Sequence, residues 1–163
     1  MTRLSQSERE RYARQIEEIG EEAQERLKQA RAIVVGAGRV GVAAAAELAS
    51  RGVGYIGIVD GGTIALGDLV GQAVYYTPDV GRGKADTLAA KLGLLNPDVH
   101  AEGYPVDLEP ANAGAIVAGL DLVLDCTHRD EVAEALASTG TPVLHGAAEA
   151  VDALAGAPVE ASP

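Results

Sequence analysis

Apolar residues in this chain fall into short runs separated by turn-forming residues, and the runs alternate between two periods. Ala32-Ile33-Val34-Val35, Tyr55-Ile56-Gly57-Ile58-Val59-Asp60, Asp121-Leu122-Val123-Leu124-Asp125 and Pro142-Val143-Leu144-His145 are short and nearly continuous, the pattern of strands buried on both faces; a further strand is expected from Val99 to Pro105. Between them lie helical stretches: Val40 to Arg51 closed by Gly52, Lys84 to Leu95 stopped at Asn96-Pro97, Ala111 to Leu120, and Glu131 to Ser138. Strands alternating with helices in this way predict an α/β, Rossmann-like, doubly wound and mainly parallel sheet of about five strands, with helices on both faces and right-handed crossovers.

The segments outside this alternation read differently. Ser7 followed by Glu10 has capping-box spacing and opens an amphipathic helix through Arg11, Tyr12, Arg14 and Ile16 to near Gly20, and a second polar helix covers Glu21 to Arg31. Residues 1–31 are therefore expected to form a helical N-terminal extension and residues 32–148 the Rossmann-like domain. From Ala147 the run of Ala, Gly, Pro and Glu reads as a frayed end, so residues 149–163 are expected to be a flexible tail. Residues 61–83 are rich in glycine and lack a period, which suggests a long functional loop with a short helical turn.

Composition narrows the classes of partner. A chain of 163 residues with 47% hydrophobic content suits one compact domain. Its formal net charge of -11 repels phosphodiester backbones, and the lack of Phe and Trp removes the best base-stacking surfaces, so no nucleic-acid partner is expected. The single Cys126 excludes an internal disulfide, and the polar start Met1-Thr2-Arg3-Leu4-Ser5 has no apolar signal core, so the expected location is the cytoplasm. No stretch approaches the roughly 20 apolar residues of a bilayer span, and no membrane association is expected.

One motif carries chemistry. Gly36-Ala37-Gly38-Arg39-Val40-Gly41 is G-x-G-x-x-G between a predicted strand and a predicted helix, a context in which backbone N–H groups and the helix dipole face an anion. Asp60 ends the next strand about 20 residues on, where a carboxylate accepts hydrogen bonds from ribose hydroxyls. Gly36, Gly38, Gly41 and Asp60 are thus candidate nucleotide-binding residues. An NAD-binding Rossmann domain would share this fingerprint, but a dehydrogenase of ordinary build needs a substrate domain as well.

Several ordered segments resemble the ThiF/MoeB/HesA adenylyltransferases of the ubiquitin-activating superfamily. They are Arg11-Tyr12-Ala13-Arg14-Gln15, Val34 to Gly38 with Val40-Gly41, Gly52-Val53-Gly54 before Ile58-Val59-Asp60-Gly61, Asp79 to Lys84, Leu95-Asn96-Pro97, and Asp121 to Thr127. The resemblance runs from Arg11 to about Ala148. It implies an ATP-binding domain related to enzymes that activate the C-terminus of ubiquitin-like sulfur carriers by forming an acyl-adenylate. By the same resemblance Lys84 would meet phosphate charge during adenylation, Asp68 and Gln72 would belong to the nucleotide-binding loop, and Arg14 would reach into a neighbouring protomer's site. That last role implies a homodimer, whereas Glu10 and Glu17 beside Arg11 and Arg14 offer local ion pairing instead.

The chain departs from the family pattern at two places. Where the family's loop usually carries Asn-Leu-x-Arg-Gln, this chain has Asp68-Leu69-Val70-Gly71-Gln72. An arginine aimed at a phosphoryl transition state is worth roughly 10³ to 10⁵ in rate, so Gly71 is expected to impair adenylation unless Arg39 or Arg82 fills in. Where the family reads Asp-Cys-Thr-Asp-Asn, with its second aspartate serving Mg²⁺, this chain has Asp125-Cys126-Thr127-His128-Arg129, leaving Asp125 or Asp130 as candidate metal carboxylates. The family's zinc motifs and catalytic cysteine have no counterpart in these residues, Val143 is expected at an exposed sheet edge, and Cys126 is expected to be an inert buried thiol. The expected protein is a catalytically impaired ATP-binding or interaction module, with an active adenylyltransferase as the alternative.

Overall fold

The computed structural model describes residues 2–156. Five strands, β1 (Arg31–Val35), β2 (Tyr55–Val59), β3 (His100–Tyr104), β4 (Leu122–Asp125) and β5 (Val143–Leu144), form one sheet in the order β3-β2-β1-β4-β5. Every pairing is parallel, with Val34 opposite Ile58 on one side and Leu124 on the other. The α/β Rossmann-like architecture is the one expected from the alternation of short apolar runs and helical stretches, and β5 forms one edge of the sheet.

Among the described residues eight α-helices surround the sheet: α1 (Gln6–Arg11), α2 (Ala13–Ile19), α3 (Glu21–Gln29), α4 (Arg39–Arg51), α5 (Lys84–Leu95), α6 (Pro110–Val117), α7 (Asp130–Ala137) and α8 (Ala147–Ala155). Successive residues of β1 point to opposite faces, which divides the core in two. Ala32 and Val34 pack with Leu27, Leu48, Leu88 and Val151 under α3, α4, α5 and α8. Ile33 and Val35 pack with Val117, Val132 and Leu136 under α6 and α7. Each fully buried aliphatic side chain contributes about 1.5–3 kcal/mol, so both faces are held by burial rather than by polar contacts.

The N-terminal helices differ from expectation in their cap. Ser5, not Ser7, caps α1: Ser5 Oγ accepts from the Glu8 N–H at 3.2 Å, and the Ser5 N–H donates to Glu8 Oε2 at 2.6 Å. Glu8 is buried and pairs with Lys28 Nζ at 2.7 Å, and this contact with α3 selects the earlier frame although both have capping-box spacing. The expected single helix breaks at Tyr12, which turns into the core and accepts a 2.7 Å hydrogen bond from Asn96 Nδ2.

The expected tail from 149 begins instead within α8. Ala150, Val151 and Ala155 are buried against the core, and Arg26 Nε donates to the Ala155 carbonyl at 2.7 Å. Small residues at helical spacing suffice here because α3 and α4 present an apolar surface to α8, a tertiary contact that composition does not reveal. Residues 157–163 of the expected tail lie outside the described residues.

Candidate functional site

The strand order reverses beside β1: the chain after β1 crosses to β2, and the chain after β4 continues to β5 on the opposite side. In open α/β sheets such a reversal leaves a crevice at the carboxyl ends of the strands. Here a cavity of about 260 Å³ lies at that point, lined by Gly36, Gly38, Asp60, Lys84, Asp107 and Thr127 among others. Sites that enclose a whole small ligand run to about 300–1,000 Å³, so this crevice is just below the size of a fully enclosing site. A larger hollow of about 520 Å³ lies at the amino ends of the strands, between Ala30, Leu122, Pro142 and Leu154, away from the glycine loop.

The loop between β1 and α4 is held by contacts that require its glycines. A Cβ on Gly41 would stand 1.7 Å from the Gly36 carbonyl oxygen, so the first turn of α4 closes onto the loop only without a side chain there. At Gly38, by contrast, a Cβ would meet nothing within 4 Å, because that face looks into open space. The first N–H groups of α4 have no intrahelical acceptor and face the same side as the dipole's positive end. The loop and its helix thus form an anion cradle.

Asp60 lies at this corner. Its Oδ2 accepts from the Ala37 N–H at 2.8 Å, and its Oδ1 accepts from the Gly62 N–H at 2.7 Å. Each carboxylate oxygen keeps a further lone pair for a ligand hydroxyl. Tyr75 supports the loop from the other side: its buried hydroxyl donates to the Ala37 carbonyl at 3.0 Å. The sequence did not single out Tyr75 or Asp107, and it named Thr127 only within the family motif; the position of Asp107 just beyond β3, at the carboxyl end of the sheet, is the signal that was there to be used.

Lys84 begins α5 and lines the cavity, and its Nζ pairs with Asp68 Oδ1 at 3.2 Å. Asp68 sits in a 3₁₀ turn, Leu66–Leu69, where its Oδ2 accepts from the Ala65 N–H at 2.8 Å. That backbone hydrogen bond, with Lys84 as a further contributor, holds the Asp68 carboxyl below the usual carboxylate range. Gln72 folds its amide into the loop: its Oε1 accepts from the N–H groups of Val74 and Tyr75, and its Nε2 donates to the Tyr75 carbonyl at 3.0 Å. Gln72 therefore braces the loop and does not line the cavity.

The β4–α7 turn holds the remaining candidates. Asp125 is buried, and its Oδ1 accepts from both the N–H and the hydroxyl of Thr127, at 2.9 and 2.7 Å. His128 has a positive φ of 54° and is exposed, as is Asp130 at the start of α7. Among the described residues no group of three His, Cys, Asp or Glu side chains converges to hold a metal ion. The carboxylates at hand do not fit a protein-built metal cradle, since Asp125 already serves Thr127. Cys126 lines the cavity with its thiol pushed up to about 11, first by burial and then by the charge of Asp125.

Arg14 is exposed on α2, and among the described residues it has no carboxylate within ion-pair distance; its neighbour Arg11 pairs with Asp98 at 3.3 Å rather than with Glu10 or Glu17. Arg82 pairs with Asp79 at 3.6 Å. No described helix is long and apolar enough to cross a membrane.

Known proteins resemble this chain in sequence and fold. The model of the ThiF family matches residues 12–157. The sulfur carrier protein adenylyltransferase of Thermus thermophilus is 40% identical over 151 residues, covering 89% of this chain and 56% of that protein. The adenylyltransferase and sulfurtransferase uba4 of Pyricularia oryzae is 44% identical over 126 residues, covering 76% of this chain and 26% of its own length. Among solved structures, the E. coli tRNA N6-threonylcarbamoyladenosine dehydratase TcdA in complex with ATP superposes with a TM-score of 0.81 at 25% identity, covering 87% of this chain and 60% of that one. The chain thus spans less than two thirds of the length of each of these relatives.

Proposed function

The chain belongs to the ThiF family, and on that footing we propose that it binds ATP in the crevice between β1 and β4 and adenylates a carboxylate only slowly. The observation that carries the reading is the bond between Asp60 and the Ala37 N–H, which joins a candidate ribose-binding carboxylate to the anion cradle. The amides at Gly38 and Gly41 receive phosphate oxygens, while the Gly36 N–H is held by the Val59 carbonyl at 2.8 Å and Gly36 shapes the turn; Asp60 takes a ribose hydroxyl, and Lys84 offers positive charge to the phosphates. Asp68 tunes Lys84, and Gln72 keeps the loop in shape. Binding of ATP by TcdA, a structural relative at 25% identity, supports an adenine nucleotide over NAD.

The reaction supported by the related adenylyltransferases is attack by the C-terminal carboxylate of a ubiquitin-like sulfur carrier on the α-phosphorus of ATP. A carboxylate oxygen bonds to phosphorus, the bond to the β-phosphate oxygen breaks, and pyrophosphate leaves with the electron pair. Three features of this chain slow that step. Gly71 carries no guanidinium, Asp68 takes up part of the Lys84 charge, and position 128 holds His rather than a carboxylate. Arg14 acts across a homodimer in this reading, reaching the partner's nucleotide, and the unpaired state of its side chain in the described residues supports that role.

Calorimetry comparing ATP with NAD, followed by ATP–pyrophosphate exchange with sulfur-carrier proteins, tests the proposal. Selective ATP binding with exchange near background is expected. Preference for NAD overturns it. An active adenylyltransferase is the second reading, favoured by the placement of Arg39 against Gly71, and brisk exchange would establish it.

A further inference from the structure

Arg39 follows Gly38 in the cradle and is the first residue of α4. It is exposed, and among the described residues it has no carboxylate within ion-pair distance, whereas Lys84, Arg82 and Arg129 at the same end of the sheet are each paired. A cation in the first turn has the wrong sign for the helix dipole, and α4 has no acidic residue there to offset it. The positive end of α4 and the guanidinium therefore repel each other until an anion lies between them.

The loop opposite is shaped around this side chain. Gly71 has φ +74°, and a Cβ on it would stand 2.9 Å from Arg39 Cδ and 3.4 Å from Nη1. Any side chain at 71 would push Arg39 aside. Arg39 also lines, with Gly67, Asp68 and Val70, a cleft of about 320 Å³. Asp68 is the carboxylate that pairs with Lys84, so the two cations border the same acidic residue while only Lys84 is bound to it.

We propose that Arg39 is a phosphate-binding residue, its guanidinium turning over the first turn of α4 to grip the terminal phosphates of the nucleotide, with Gly71 the residue that makes room for it. This rests on the nucleotide reading of the crevice. A guanidinium matches a phosphate with two parallel N–H donors, which an ammonium cannot reproduce. The contact selects for the β- and γ-phosphates over the nucleoside.

Titration of the wild-type chain, Arg39→Ala and Arg39→Lys with ATP, AMP and adenosine tests it. Arg39→Ala is expected to weaken ATP roughly tenfold or more, to weaken AMP less, and to leave adenosine unchanged, with Arg39→Lys recovering part of the loss. Because the side chain is exposed and unpaired, the variants are expected to keep the wild-type melting temperature. Unchanged ATP affinity, or an equal loss for ATP and adenosine, overturns the role of Arg39 while leaving the nucleotide site standing. Failure of the wild-type chain to bind any of the three overturns the nucleotide reading itself, and this proposal with it.

Discussion

Lys84 Nζ stands 3.2 Å from Asp68 Oδ1, so a cation that lines the crevice is already engaged with a carboxylate of its own chain. The pair is partly buried, with side-chain exposures of 17% and 27%, which limits screening by solvent. Replacing one partner should therefore move ATP affinity in opposite directions. Lys84→Ala is expected to lose roughly tenfold, the value of one charged hydrogen bond, and Asp68→Asn to gain several-fold, because asparagine keeps an acceptor for the Ala65 N–H and drops the charge. Calorimetry on both variants checks the pair; a loss in Asp68→Asn as large as that in Lys84→Ala would mean that Asp68 binds the ligand instead.

Gly38 and Gly41 separate binding from folding. Gly41→Ala drives a Cβ into the Gly36 carbonyl at 1.7 Å, so it is expected to destabilise the fold by about 3 kcal/mol or more. Gly38→Ala meets no atom within 4 Å, and its φ of -79° suits any residue, so thermal stability should hold while ATP binding falls as the methyl occupies phosphate space. Equal ATP affinity in Gly38→Ala and wild type would place the phosphates elsewhere.

The cradle was legible because its parts are local. Gly36 to Gly41 and the strand that leads to Asp60 fix their own geometry, and the parallel sheet follows from runs too apolar to face water. The Lys84–Asp68 pair was not legible, since residues 61–83 have no period from which to place Asp68, and its position depends on turns braced by Gln72 and Asp79. Ser5 lost to Ser7 on paper because Lys28, 20 positions beyond Glu8, decides which cap forms. In α8 the burial of Ala150 and Val151 depends on α3 and α4, which a local reading of alanine and glycine does not include.

Acid is expected to loosen the N-terminal helices. Burial pushes the Glu8 carboxyl up, but hydrogen bonds from Lys28 and Ser5 outweigh it and leave the pKa below the ordinary 4.5. A group depressed in the folded state contributes stability above its unfolded pKa and loses it as pH falls through the folded value. Glu8→Gln should thus cost about 1–3 kcal/mol at neutral pH, with the gap to wild type closing below the ordinary carboxylate pKa. Melting temperatures of the two proteins between pH 7 and pH 3 test this; a gap independent of pH would assign the loss to packing alone.

Cys126 offers a chemical probe of the crevice. It lines the cavity beside Gly36 and Thr127, and its thiol is pushed up to about 11 by burial and by Asp125. Thiols react as thiolates, and at pH 8 an ordinary cysteine of pKa about 8.5 is roughly a quarter ionised, whereas a thiol near 11 is about a thousandth ionised. Labelling by a thiol reagent at pH 8 is therefore expected to run roughly a hundredfold or more slower than for a small free thiol, and to rise close to tenfold per pH unit until ionisation nears completion. A nucleotide seated in the cradle covers the same opening, so saturating ATP should slow labelling further at every pH. Labelling at the free-thiol rate would show that the turn after β4 opens in solution, and a rate indifferent to ATP would separate the thiol from the ligand's position.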